Sequence, residues 1–240
     1  MHYWNRGNFE GLDGVAADAR ASSMPDGFAE YCTLRSSGRR AEAFAALRGF
    51  VVRSLTLPLA ERKHVVSWLL EAQLRAPQIH QLLPFPLMSE LVKPTLEAWV
   101  STSPGDASAH RWCGFVFGNA DSLRMALEID RSDQPARILL IERLLSWVEF
   151  ATHHLAEGRL LEDAGQIAAQ LEEISSHLSE LPHSRSASSL AARLHEQAAL
   201  LADWTEYQQN PQGAFPDWCA KRQKVHEWPS IHYYGPSGDA

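Results

Sequence analysis

Cysteine is scarce. The 240 residues hold three, Cys32, Cys113 and Cys219, with no C-x-x-C pair. An odd, scattered set supports neither a disulfide framework nor a zinc ribbon, and it fits a reducing compartment. Cys32 and Cys113 fall in apolar helical patterns, where a thiol packs as a small hydrophobe. Long hydrophobic runs are missing too. No apolar stretch reaches the roughly 18 residues of a membrane-spanning helix. The opening Met1-His2-Tyr3-Trp4-Asn5-Arg6 has no apolar segment of the secretory kind, so the reading is a cytoplasmic chain without membrane association. Nor is there an excess of basic charge. With 22 Lys and Arg against 29 Asp and Glu, the formal net charge is −7, which argues against a non-specific nucleic-acid binder.

Catalytic signatures are equally absent. There is no G-x-x-x-x-G-K-[ST] or G-x-G-x-x-G phosphate loop, no G-x-S-x-G nucleophile elbow and no H-E-x-x-H. Gly7, Gly11 and Gly14 are spaced too loosely for a nucleotide loop, and no strand precedes them. Adjacent carboxylates such as Glu162-Asp163 and Glu172-Glu173 diverge on a helix, so they read as solvated rather than as acid–base partners. No cofactor is expected.

What is present is helical periodicity. Hydrophobic residues make up 45% of the chain and charged residues 21%, an ordinary globular balance. Apolar positions recur at helical spacing from about residue 27 to about residue 208, and no segment alternates as a strand does. Helices are predicted over about 28–35, 41–57, 59–74, 90–100, 106–117 and 119–129. A long one follows, with Ser132 as its N-cap and Gly158 as its end. Two more cover about 163–181 and 186–208. The segment Leu82-Leu83-Pro84-Phe85-Pro86-Leu87 reads as an apolar connector packed along the core. The expectation is an all-α fold of roughly ten helices in stacked antiparallel hairpins. It forms a single domain over 1–240, with a soft subdivision near 102–106. Residues 209–240, rich in aromatics among Lys221, Arg222, Lys224, His226 and His232, are expected to dock on the body. Tyr3, Trp4 and Phe9 read the same way.

The string Ala126-Leu127-Glu128-Ile129-Asp130 resembles the closing pattern of the second helix of a tetratricopeptide repeat, with Arg131 in place of the family's proline. Upstream, His110-Arg111-Trp112-Cys113-Gly114-Phe115 resembles the first helix, with Gly114 at the close contact. The two lie closer together than in the standard 34-residue unit, so the hairpin is a degenerate one. Some 35 residues carry the resemblance. It implies stacked helical hairpins with small residues at the contacts, larger ones such as Trp112, Phe117 and Leu123 beside them, and a concave protein-binding face. In general character the chain is also similar to bacterial immunity proteins of toxin–immunity pairs.

The charge is uneven. Residues 1–120 carry 12 Lys and Arg against 11 Asp and Glu; residues 121–240 carry 10 against 18, which together give the −7. An acidic second half suits a basic partner. The leading expectation is an immunity protein that neutralises a toxin domain, such as a nuclease with a basic cleft. The candidate partner-binding residues are Asp121, Glu128, Asp130, Asp133, Glu162, Asp163, Trp218 and Trp228. The alternative is a tetratricopeptide-like adaptor or chaperone-type scaffold. A third reading is a metal-dependent enzyme. Glu149 and His153 share one helical face, and His154 and Glu157 another, but the two histidines point about 100° apart. One helix therefore presents them poorly as a metal set, and histidines at a helix C-terminus also cap carbonyls. No metal, catalytic residue or nucleic acid is expected, and the oligomeric state is left open.

Overall fold

The computed structural model describes residues 6–228. Tyr3, Trp4, His232, Tyr233 and Tyr234 lie outside them. The fold is all-α, with no strand among the described residues. Among them, no helix is long and apolar enough to cross a membrane. The contacts divide the chain into two compact units, the first ending at Asp130 and the second beginning at Arg131. The turn at 102–106 joins two helices inside the first unit.

The first unit contains α1 (Arg6–Ala21), α2 (Phe28–Ser36), α3 (Arg40–Leu55), α4 (Leu59–Arg75), the short α5 (Phe85–Leu87), α6 (Lys93–Thr102), α7 (Ala107–Phe117) and α8 (Ala120–Ile129). Helix α1 lies upstream of the predicted pattern. Its three glycines mask a buried stripe of Leu12, Val15, Ala16 and Ala19. At Gly11 a Cβ would fall 2.5 Å from Ile79 Cδ1, so any side chain there would force Ile79 to shift. Phe28, Tyr31, Phe50, Leu69 and Leu70 fill the middle of this unit, with the Phe28 and Phe50 rings 5.2 Å apart. The Tyr31 hydroxyl donates to the Gln81 carbonyl at 2.5 Å.

The apolar connector is half as expected. Leu82 and Leu87 are fully buried, but Phe85 between them is 80% exposed. Residues 88–92 form a π-helical turn that runs directly into α6. Pro94 stands just after it. A proline lacks the N–H of an α-helical bond and crowds the carbonyl four residues back, here Glu90, and a widened turn relieves both problems.

Caps written in the sequence set the later boundaries. Asp106 accepts from the Ser108 amide at 3.0 Å at the start of α7 and from Trp99 Nε1 at 2.7 Å. Gly118, with φ of 63°, ends α7, and Asn119 caps α8 through the Asp121 and Ser122 amides. A left-handed residue followed at once by an N-cap makes a minimal turn, so α7 and α8 fold back on each other as a hairpin.

The second unit contains α9 (Gln134–Thr152), a 3-10 turn (Leu155–Glu157), α10 (Ala164–Ser179), α11 (Arg185–Gln209) and α12 (Phe215–Lys221). The cap of α9 is Asp133, one residue beyond the expected Ser132, and its side chain accepts from the Ala136 amide at 3.0 Å. Gly158 closes the 3-10 turn rather than α9 itself. Helices α9, α10 and α11 pack pairwise around Leu140, Ile141, Val148, Ile167 and Ile174. Leu155, Trp204, Tyr207, Phe215, Trp218 and Cys219 make a separate aromatic cluster, where α12 folds back on the end of α11.

Candidate protein-binding surface

On α8 the buried residues are Leu123, Ala126 and Leu127. Asp121, Met125 and Ile129 follow one another at four-residue intervals on the opposite, exposed side. Met125 and Ile129 are 42% and 38% exposed. Asp121 pairs with Arg124 at 2.6 Å, yet its carboxylate remains largely in solvent. Glu128 is exposed and makes no ion pair among the described residues. Asp130 is exposed just past the end of the helix. Helix α8 thus presents carboxylates and two uncovered apolar side chains side by side. Sequence reasoning found the acids and missed Met125 and Ile129; their i, i+4 spacing from Asp121, out of phase with Leu123 and Leu127, was the available signal.

The remaining candidates belong to the second unit, and all but Glu162 have other occupations. Asp133 is buried and caps α9. Asp163 caps α10 through the Gly165 and Gln166 amides, at 2.9 and 3.1 Å. Glu162 is half-buried, with no ion pair among the described residues. Trp218 is buried in the aromatic cluster, with the Arg222 guanidinium 4.2 Å over its ring. Trp228 is half-buried and packs edge-on to Phe215 at 5.5 Å.

Much of the acidic charge of this unit is compensated internally. Arg193 of α11 bonds Glu142 at 2.6 Å and Glu149 at 2.9 Å, both on α9. Arg137, almost fully buried, meets Glu180 at 2.8 Å and donates to the Arg131 carbonyl at 2.5 Å. Asp203 and Glu206 of α11 take Lys224 between them, and His226 Nε2 lies 2.8 Å from Asp203. Lys224 and His226 therefore hold the segment that follows α12 onto α11. Their hydrogen bonds to the two carboxylates are the main reason the Lys224 ammonium titrates above its ordinary range.

His153 and His154 lie side by side, with ring centroids 3.9 Å apart. Their nitrogens are used locally: His153 Nδ1 contacts the Phe150 carbonyl, and His154 Nδ1 lies 3.0 Å from Glu157. Glu149 faces Arg193 instead of either histidine. Among the described residues, no three His, Cys, Asp or Glu side chains converge as metal ligands do. All three thiols are buried. Burial pushes Cys32 up to about 12 and Cys113 up to about 11, so neither thiol is a ready nucleophile.

Comparison with protein-family models, with curated proteins and with solved structures returns no match.

Proposed function

We propose that the chain is an interaction protein of the immunity type, which binds a basic toxin domain and neutralises it. The observation that carries this reading is the exposed side of α8, where Asp121 and Glu128 flank the uncovered Met125 and Ile129. A contact surface needs apolar area to hold a partner and charge to steer and orient it. Helix α8 supplies both, on a hairpin held rigid by caps at either side of its turn. The acids bonded to Arg193, Arg137 and Lys224 contribute less, because their fields are offset locally; Asp121 shares its charge with Arg124, which leaves Glu128 as the uncompensated acid of the α8 pair.

The test uses the chain's partner, identified by pull-down or by its neighbouring gene, with a basic toxin domain expected. Asp121→Lys with Glu128→Lys lowers the association rate about tenfold at low salt, and the loss shrinks as salt rises. Met125→Ser with Ile129→Ser speeds dissociation instead. All four positions are exposed, so circular dichroism stays unchanged. Unaltered kinetics in both folded variants refute the assignment. Asp133 and Asp163 are left alone, because reversing them removes helix caps rather than surface charge.

A further inference from the structure

The segment that leaves α12 runs back along α11 without helical structure, and its burial alternates as in an extended strand. Lys224, His226 and Trp228 are half-buried, whereas Val225 and Glu227 between them are exposed, Val225 to 91%. The three inward residues meet one surface. Lys224 pairs with Asp203 and, at 2.7 Å, with Glu206; His226 Nε2 lies 2.8 Å from Asp203; the Trp228 ring stands edge-on to Phe215 at 5.5 Å. Asp203 and Glu206 are about one turn apart on α11, and Phe215 is the first residue of α12.

The fastening is by side chains. The turn out of α12, with Gln223 at a φ of 58°, is closed by the Lys224 amide donating to the Cys219 carbonyl at 3.0 Å. Past that bond, no backbone hydrogen bond holds residues 225–228 among the described residues. What remains is a set of ion pairs near solvent and one aromatic edge. Such pairs are individually weak, and salt weakens them further. A segment held in this way belongs to the low-stability end of a fold, and it opens while α11 and α12 stay in place.

The covered surface has a defined chemistry. Among the described residues, every cation paired with Asp203 or Glu206 comes from this segment or the residues at its start: Lys224, His226 and, at 3.8 Å, Arg222. Arg222 is the C-cap of α12, with its guanidinium 4.2 Å over the Trp218 ring. Lifting the segment leaves Asp203 without a cation, Glu206 with only the more distant Arg222, and the edge of Phe215 uncovered. Two carboxylates one turn apart beside an aromatic edge suit a cation followed four residues later by an aromatic side chain. Lys224 and Trp228 display that pattern.

We propose that residues 224–228 are an autoinhibitory strap, which occupies in cis a surface of α11 and α12 that receives an extended basic segment of a partner protein, with Lys or Arg at Asp203 and Glu206 and an aromatic side chain at Phe215. Side chains at alternate positions of an extended peptide give such recognition its specificity. Tethering gives the strap a local concentration of about millimolar, so a partner segment enters by outcompeting it. The surface uses none of the α8 residues, and the two assignments stand or fall separately.

The probe is a fluorescent synthetic peptide of residues 221–228, titrated with the full chain in fluorescence anisotropy. Lys224→Ser with Trp228→Ser in the chain removes the strap's own grip, and this variant binds the peptide at least about tenfold more tightly than the wild type does. Lys224→Ser alone gives a smaller gain in the same direction and carries the test if the double variant folds poorly. The gain disappears when Asp203→Asn and Glu206→Gln are added to the chain. It also disappears when the peptide itself carries Lys224→Glu, a change that needs no folding control. Three outcomes overturn the proposal: peptide bound equally by the wild type and the strap variants, peptide bound by none of them, and binding by the strap variants that is indifferent to Asp203, Glu206 and the peptide's lysine.

Discussion

Leu123 sits so closely over Gly114 that a Cβ on residue 114 would fall 2.4 Å from the Leu123 Cγ. The Asn119 carbonyl oxygen is 3.1 Å from the same point. A branch carbon inside the hairpin and a backbone oxygen in its turn have little room to retreat, so α7 and α8 approach as they do because residue 114 has no side chain.

Gly114→Ala is therefore expected to destabilise the protein by about 1–3 kcal/mol, the usual cost of overpacking. Ala126→Leu, at a fully buried position of α8, is expected to cost a similar amount. Urea midpoints measure both. In a double-mutant cycle, Leu123→Ala should recover part of the Gly114→Ala loss, because the two residues share one contact.

Arg137 and Glu180 form an asymmetric pair: the arginine side chain is 3% exposed and the glutamate 40%. Removing the glutamate strands a buried cation, whereas removing the arginine leaves a carboxylate that water reaches. Glu180→Ala is expected to cost about 1.5–3 kcal/mol, and Arg137→Met less. Thermal or urea unfolding of the two variants orders them; the reverse order would show that the buried guanidinium is held by its other partners.

The buried thiols predict alkaline sensitivity. Below pH 9 a thiol is protonated in both the folded and the unfolded chain. Above it the unfolded chain ionises, while the fold holds Cys113 neutral to about 11 and Cys32 to about 12. Stability should fall as pH climbs from about 9 through that window. Cys32→Ala should flatten the slope, and the native protein at pH 8 should resist a thiol reagent that titrates all three cysteines in denaturant.

Trp218 tests whether the C-terminal aromatics are structural. It stacks on Phe215, lies edge-on to Tyr207 at 5.8 Å and carries the Arg222 and Lys224 cations over its ring. Trp218→Ala is expected to cost about 3–5 kcal/mol. A variant as stable as wild type, with only partner binding lost, would return Trp218 to the interface.

The fold class and most helix boundaries were legible because their causes are local. Apolar periodicity marked α3, α4, α10 and α11 to within about two residues, and Asp106, Asn119 and Pro135 are punctuation that acts over a single turn. Helix α1 was not legible. Gly7, Gly11 and Gly14 lower its propensity, and it is held instead by burial of Leu12 and Ala16 in the first unit. The one-residue shift of the α9 cap from Ser132 to Asp133 is a choice between two adjacent good caps.

The candidate surface divides in the same way. Which residues are acidic, and that they crowd the second half, is fixed by composition. Whether a carboxylate is surface charge, helix cap or half of an internal pair depends on what folding brings to it. Arg193 reaches across from α11 to neutralise Glu142 and Glu149, more than forty residues away in sequence. Asp133 is consumed at a helix start, and Glu128 is left in solvent. Periodicity says which side of a helix is apolar, but only the packing of neighbouring helices decides which apolar side chains stay uncovered. The phase of Met125 and Ile129 against Leu123 and Leu127 is in the sequence, but that no neighbouring helix covers them was set by tertiary structure, since exposure is a property of what lies opposite a residue and not of the residue itself.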